Sequence, residues 1–328
     1  MDPMDVLHNT GFGDVETLDV LCGAWRNLLD AVEPDMLVCD HAPMALLASR
    51  WRQLRRVVVG TGFTVPPAVS PWPDLRYWSE TNAADPTLQR DEKQIAANVN
   101  ALLDRHRLPG VANLAAIYEA DATFLMTFQE LDHYPERIDG SYCGTWIPRG
   151  EAAPEWPEGK GPRLFGYLKP PEAGWQLREF LGFLRELRLP TLVYMAGGER
   201  DWLKKMETPR LRFTFQPIDV RQTASQCDIA ILHGNAGSVA AFLLHGVPQL
   251  NLPLFLEQTI LSRRVVEMGA GLIANPNRPE QMAARLTVML HDNRYRKAAA
   301  AFAGRYAHYD QEQSMGTMLS QIQELLRL

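Results

Sequence analysis

The sequence predicts an α/β protein in which a parallel sheet recurs in two domains. Short apolar strand patterns alternate with amphipathic helical patterns along the 328 residues, which is the order that right-handed βαβ units produce. Glycine-rich turns follow several of the strand patterns. Residues 147–163 are rich in Pro, Gly and charge, and their apolar residues follow neither the helical nor the strand spacing. This segment is predicted to link the two domains.

Composition excludes several classes of protein. The chain is 46% hydrophobic and 22% charged, as in globular domains. Its net charge of −6, with no basic run, argues against nucleic acid and anionic lipid as partners. No stretch approaches the roughly 18 apolar residues of a membrane span, and the first residues lack the pattern of a signal peptide. Four cysteines without a C-x-x-C pattern favour a reducing cytoplasm.

The two halves differ in regularity. In the first half, an irregular segment precedes residue 34 and a proline-rich segment covers residues 64–78. Predicted strands there are 34–40, 55–63 and 122–128, and predicted helices are 42–51, 91–107 and 111–120. In the second half the predicted strands are 163–170, 190–198, 212–217, 228–232, 248–253 and 270–276. A helix is predicted after each of the first five strands, and another helix is predicted from Pro279.

Parallel sheets bind ligands outside the carboxyl ends of their strands. Gly197 and Gly198 end a predicted strand, and His233 and Glu257 follow two others, so we expect all four at one edge of the second sheet.

The stretch "HGNAGS" follows the strand at 228–232 and opens a helix. Gly234 and Gly237 are expected to permit the sharp turn and a close approach of the backbone to a ligand. The first N–H groups of the helix, near Asn235 to Ser238, lack partners within the helix and suit a phosphate. The Gly197-Gly198 turn offers similar groups, so the two turns together fit a diphosphate. Alternatively, the glycines serve packing alone and His233 is a hydrogen-bonded bystander.

The spacing of three blocks resembles the donor-binding motif of the GT-B glycosyltransferases that use nucleotide sugars, a family of natural-product, antibiotic and glucuronosyl transferases. The matching residues are His233, Gly234, Gly237 and Ser238, then Gly246-Val247-Pro248, then Glu257-Gln258. The resemblance implies two Rossmann-like domains that face a cleft, the first of them incomplete.

The resemblance also implies roles for individual residues. His233 and the turn after it would hold the diphosphate of the donor, and Glu257 and Gln258 would bind the hydroxyl groups of the sugar. Phe215, followed by Gln216 and Pro217, lies where relatives place a Trp-x-Pro-Gln segment against the base, so it would stack on a pyrimidine.

Three departures from the motif leave the nucleotide open between UDP and dTDP. Asn235 replaces a glycine, although its side chain offers a capping oxygen. Ala241 stands where many members carry a glutamate that binds the ribose, and Ile218 replaces a glutamine near the base.

The first domain lacks a feature of the family. The family's catalytic histidine follows its first strand in a Gly-His turn, and this chain opens with no such turn. Asp40 would be the acid that orients the base, and His41 is the first candidate for the base. The resemblance thus implies an N-terminally shortened chain that transfers sugar slowly or not at all. It also implies an exposed sheet edge that favours self-association.

The predicted domains are an acceptor-side domain over 1–158, a donor domain over 159–305, and a terminal helical segment, 306–328. This segment has an apolar face that includes Met315, Leu319 and Leu326, and it is expected to pack toward the first domain.

The implied reaction is inverting transfer of a sugar to a hydroxyl group of a small apolar acceptor. It would use a UDP- or dTDP-sugar as co-substrate and no other cofactor. No Asp-x-Asp pair is present to hold a metal, so metal-free chemistry fits better. Two alternatives stay open: a non-catalytic protein that binds a nucleotide sugar, and a sugar-nucleotide epimerase.

Overall fold

The computed structural model describes residues 3–52, 54–78, 86–148, 150, 152–169, 175–195, 197 and 199–327. The chain forms two compact units. The first comprises residues 1–144 and 312–328, and the second comprises residues 145–311. No helix in the described ranges is long and apolar enough to cross a membrane.

The first unit contains a parallel sheet in which β2 lies between β1 and β3. The strands are β1 (Met36–Asp40), β2 (Arg55–Gly60) and β3 (Ala122–Leu125). The helices are α1 (Pro3–Leu7), α2 (Val15–Val32), α3 (Pro43–Ala48) and α4 (Pro86–Arg105). The predicted helix over 111–120 is only a short 3₁₀ turn, Leu114–Tyr118.

The long helix α2 corrects the prediction of an irregular segment before residue 34. The helix begins after Asp14, whose carboxylate accepts a hydrogen bond from the Thr17 N–H at 2.8 Å. Leu18 and Leu29 are buried on its inner side, whereas Val20 and Leu28 are 72% and 50% exposed. Leu18, Cys22 and Leu29 recur at helical spacing on the buried side, so the sequence carried the 3.6-residue period of a helix and the prediction overlooked it.

The second unit contains a sheet with the strand order β6-β5-β4-β7-β8-β9, in which every pair is parallel. The strands are β4 (Leu164–Leu168), β5 (Thr191–Met195), β6 (Leu211–Thr214), β7 (Ile229–Leu232), β8 (Gln249–Asn251) and β9 (Gly271–Ile273). The helices are α5 (Trp175–Glu186), α6 (Arg200–Met206), α7 (Val220–Ala224), α8 (Ala236–Leu244), α9 (Leu256–Glu267), α10 (Pro279–His291) and α11 (Arg294–Arg305). The predicted alternation of strand and helix is therefore confirmed in this unit.

Both faces of this sheet are covered. Leu164 and Leu168 of β4 belong to an apolar cluster with α5 and α10. Phe165, between them, stacks on Phe242 of α8 with the ring centroids 5.5 Å apart. Strands buried on both faces are typical of parallel sheets in α/β proteins.

The predicted linker over 147–163 is not a free segment, because its described residues belong to the second unit. The Asp219 N–H donates to the Ala152 carbonyl at 2.8 Å. The Ile147 N–H donates to Gln311 Oε1 at 2.9 Å.

The last helix, α12 (Gln311–Leu325), joins the first unit from Glu312 onward. The Ser314 hydroxyl donates to the Cys143 carbonyl at 2.6 Å. Of the predicted apolar face, the half-buried residues are Met315, Met318, Ile322 and Leu325. Leu319 and Leu326, at 50% and 51% exposure, lie beside this half-buried row and remain in solvent.

Candidate functional site

The carboxyl ends of β4 and β7 form the centre of the candidate site. The chain runs outward from β4 through β5 to β6 and then returns to place β7 on the other side of β4. Such a reversal of strand order leaves a crevice in which open α/β sheets bind ligands. His233 follows β7 directly, as predicted, and Lys169 follows β4.

The His233 ring connects three strands at this edge. Its Nε2 atom accepts a hydrogen bond from the Lys169 backbone N–H at 2.9 Å, which ties it to the end of β4. Its Nδ1–H donates to the carbonyl of Leu252, just beyond β8, at 2.8 Å. Since a carbonyl only accepts and Nε2 is already an acceptor, the ring is the neutral tautomer with its proton on Nδ1.

The environment of His233 favours this neutral form. Burial lowers the pKa of His233 most strongly, and the nearby charge of Lys169 lowers it further, against the opposing effect of the Leu252 hydrogen bond. In this arrangement the ring has no N–H left for a phosphate. The geometry thus gives His233 the task of positioning the turn, which differs from the direct contact that the resemblance implies.

The turn after β7 requires only one of its two glycines. Gly234 has φ of +94°, and a Cβ atom there would lie 2.5 Å from Ser262 Oγ and 2.7 Å from the Gln258 carbonyl oxygen. Gly237 lies in the first turn of α8, where an added Cβ would have no atom within 4 Å. The expectation that both glycines permit the turn is therefore corrected: Gly237 instead leaves open space over the start of the helix.

The first turn of α8 has no side-chain cap. Asn235 occupies the capping position, but its side chain makes no capping hydrogen bond, contrary to the role that the sequence offered it. Its Oδ1 atom instead accepts from Gln258 Nε2 at 2.7 Å. The N–H groups at the start of α8, which carry the positive end of the helix dipole, therefore lack a side-chain acceptor. Ser238, the other predicted residue of this turn, is half-buried.

Glu257 and Gln258, at the start of α9, differ in their surroundings. Gln258 is 3% exposed, and besides binding Asn235 its Oε1 atom accepts from the Leu254 N–H at 2.8 Å. This amide therefore holds two loops together, where the resemblance implies contact with the sugar. Glu257 is half-buried, and burial raises the pKa of its carboxyl group. No described donor or cation is paired with it.

The other predicted donor residues lie on neighbouring turns. Gly197, after β5, is exposed with φ of +92°, while Gly198 lies outside the described residues. Phe215 follows β6 and is half-buried, with the Arg200 guanidinium 5.2 Å from its ring centroid. Pro217 is exposed nearby.

Asp40 and His41 lie at the carboxyl end of β1, in the first unit, and both are exposed. Asp40 is in register with Val59 of β2, and His41 has φ of +48°. No hydrogen bond joins these two side chains or ties either one to another described residue. The structure thus places the two residues together without the contact by which an acid orients a base.

Sequence reasoning missed the side of the site that belongs to β4. Lys169 is exposed and no described carboxylate is paired with it. The sequence feature that could have identified Lys169 is its position as a charged residue at the end of an apolar strand pattern, "RLFGYLKP".

Comparison with known proteins supports the class that this fold and site define. Residues 207–314 match the family described as erythromycin biosynthesis protein CIII-like, C-terminal domain. The structure of the glycosyltransferase VinC in complex with dTDP matches with a TM-score of 0.64 at 13% identity, over 91% of this chain and 74% of that one. The predicted α/β fold of the GT-B type is therefore confirmed.

Two curated relatives are sugar transferases. The TDP-daunosamine transferase DnrS of Streptomyces peucetius is 27% identical over 42% of this chain and 32% of its own length. The PGL/p-HBAD biosynthesis rhamnosyltransferase of Mycobacterium bovis is 24% identical over 90% of this chain and 69% of its own length. The predicted resemblance to natural-product glycosyltransferases is thus confirmed.

Proposed function

We propose that the chain transfers a sugar from a pyrimidine nucleoside diphosphate to a hydroxyl group of a small apolar acceptor, with inversion and without a metal. The observation that carries this proposal is the turn after β7. A neutral His233 and a buried Gln258 hold the turn in place, so the uncapped start of α8 remains open to the negative charge of a diphosphate. In the proposal Gly197 lies beside the same diphosphate, and Phe215, followed by Pro217, stacks on the base.

The loop between β8 and α9 supports a sugar with few hydroxyl groups. Because the Gln258 amide is buried, the Glu257 carboxylate is the group of this predicted pair that can accept hydrogen bonds from the sugar. Leu254 and Phe255 beside it are 44% and 53% exposed. One carboxylate among exposed apolar side chains suits a deoxyhexose, the class to which the rhamnose and daunosamine named for the relatives belong.

The acceptor hydroxyl would lose its proton to a base in the first unit, for which His41 and Asp40 are the candidates. Positioned general-base help contributes typically about 10² to 10⁴ in rate. The absence of a hydrogen bond between these two described residues favours the second candidate function, a protein that binds a nucleotide sugar without transferring it.

Separate measurements of binding and turnover test the proposal. Calorimetry with dTDP and UDP measures donor binding. Mass spectrometry of mixtures with dTDP- and UDP-deoxyhexoses and a panel of phenolic and polyketide alcohols detects glycoside products. We expect donor binding together with slow formation of product, and less product still in His41→Ala.

Each other outcome has a defined meaning. Binding without product would favour the second candidate, and a changed sugar in the absence of acceptor would favour an epimerase. No affinity for either diphosphate would refute the proposed function.

A further inference from the structure

None of the motif residues supplies a positively charged side chain for the diphosphate. His233 is neutral and both of its ring nitrogens bind the backbone. The other predicted donor residues are glycines, neutral side chains and the acidic Glu257. A nucleoside diphosphate carries several negative charges, so binding through neutral N–H groups alone would leave most of this charge uncompensated.

Lys169 is a cationic side chain that the fold brings to this point. Its backbone N–H lies 2.9 Å from His233 Nε2, so the residue sits where the ends of β4 and β7 meet. The side chain is exposed, and no carboxylate in the described ranges neutralises it. Its ammonium group is close enough to the His233 ring to lower the pKa of that ring.

We propose that Lys169 is the residue that binds the diphosphate of the donor through its ammonium group, while His233 positions the turn. This inference rests on the proposed function. It assigns the two tasks to two residues: Lys169 supplies the charge, and the turn supplies the N–H groups and the geometry.

The division of tasks can be tested because the contact between Lys169 and His233 uses the backbone. Replacing the lysine side chain leaves the N–H bond to Nε2 in place, so Lys169→Met should fold as the wild type does. Lys297→Met is the matched control, since Lys297 is an exposed lysine on α11. The probes are dTDP and the uncharged nucleoside thymidine, titrated calorimetrically into the full chain at several salt concentrations.

We expect Lys169→Met to weaken dTDP binding by about 10- to 100-fold, as for the loss of a charge-assisted contact. The dependence of dTDP affinity on salt should become shallower, and thymidine affinity and melting temperature should not change. Lys169→Arg should retain most of the affinity, and Lys297→Met should behave as the wild type.

The failures of the two proposals are distinguishable. If the wild type binds dTDP and Lys169→Met binds it equally well with the same salt dependence, the assignment of Lys169 is wrong and the proposed function stands. If Lys169→Met loses thymidine and dTDP affinity alike, the lysine does not act on the diphosphate. If the wild type binds neither dTDP nor UDP, both proposals fail.

Discussion

The loops at the carboxyl ends of the two sheets are held by different means. In the second unit the turn after β7 is tied by neutral groups, the His233 ring and the Gln258 amide. In the first unit a buried ion pair holds the loop after β3, and its arginine also bonds to the loop after β2. Arg137 Nε donates to Asp132 Oδ2 at 2.7 Å, with the two side chains 3% and 1% exposed.

The surroundings of this ion pair satisfy most of its polar atoms. The Tyr142 hydroxyl donates to the Asp132 carboxylate at 2.8 Å, and the Arg137 guanidinium also donates to the Val65 carbonyl. Neutral ties leave the positive end of α8 uncompensated and available to a ligand, whereas an ion pair compensates its own charge. We infer that the second unit leaves the positive end of α8 available for binding, whereas the first unit uses charged side chains to hold its loops.

The largest expected effect follows from breaking the ion pair. Asp132→Ala leaves the Arg137 guanidinium buried without its carboxylate, which costs about 3–5 kcal/mol of the free energy of unfolding. Urea unfolding followed by circular dichroism measures this. Asp30→Ala is the control, because its ion pair with Arg52 is exposed and should contribute at most about 1 kcal/mol. Equal costs for the two variants would contradict a structural role for the buried pair.

A smaller effect is expected from the turn after β7. Gly234→Ala forces a side chain into a left-handed conformation and against Ser262 and the Gln258 carbonyl. Its cost should be about 2–4 kcal/mol from strain and overpacking together. Gly237→Ala, in open space in the same turn, should instead stabilise the protein by about 0.4–1 kcal/mol, because alanine restricts the unfolded chain.

Thermal unfolding of both glycine variants, with and without dTDP, separates stability from binding. If the phosphate approaches the backbone at Gly237, that variant should be stable and yet gain less from dTDP than the wild type does. A stable Gly234→Ala protein would show that the turn is not fixed as described.

The smallest expected effect is the pH dependence due to His233. Its pKa is lowered in the folded protein, so the unfolded chain binds a proton more readily. Its contribution to stability is therefore full above the unfolded value of about 6.5 and declines as the pH falls below it, by at most about 1.4 kcal/mol per pH unit.

The readout is the difference in free energy of unfolding between the wild type and His233→Gln across pH 5 to 8. A slope that survives in His233→Gln would mean that another group titrates.

Local patterns predicted the second unit well and the first unit less well. Strand β7 is a short apolar run that ends shortly before a glycine, and helix α5 has apolar residues at helical spacing, and local sequence records both features. Helix α2 also carries a helical period in Leu18, Cys22 and Leu29, so local sequence recorded this helix although the prediction missed it. Local sequence does not record that Val20 and Leu28 stay exposed, because their exposure depends on which surfaces the rest of the fold leaves uncovered.

The sequence by itself determined the order of strands and helices in the second unit, and it placed His233, Gly234 and Glu257 at strand ends, because these features depend on neighbouring residues. Only the tertiary structure decided what the side chains do there. His233 bonds to Lys169, 64 residues away, and to Leu252, 19 residues away, and Gln258 bonds to Asn235. These partners meet because parallel strands from distant parts of the chain end at one edge of a sheet, and no local pattern records which side chains meet there.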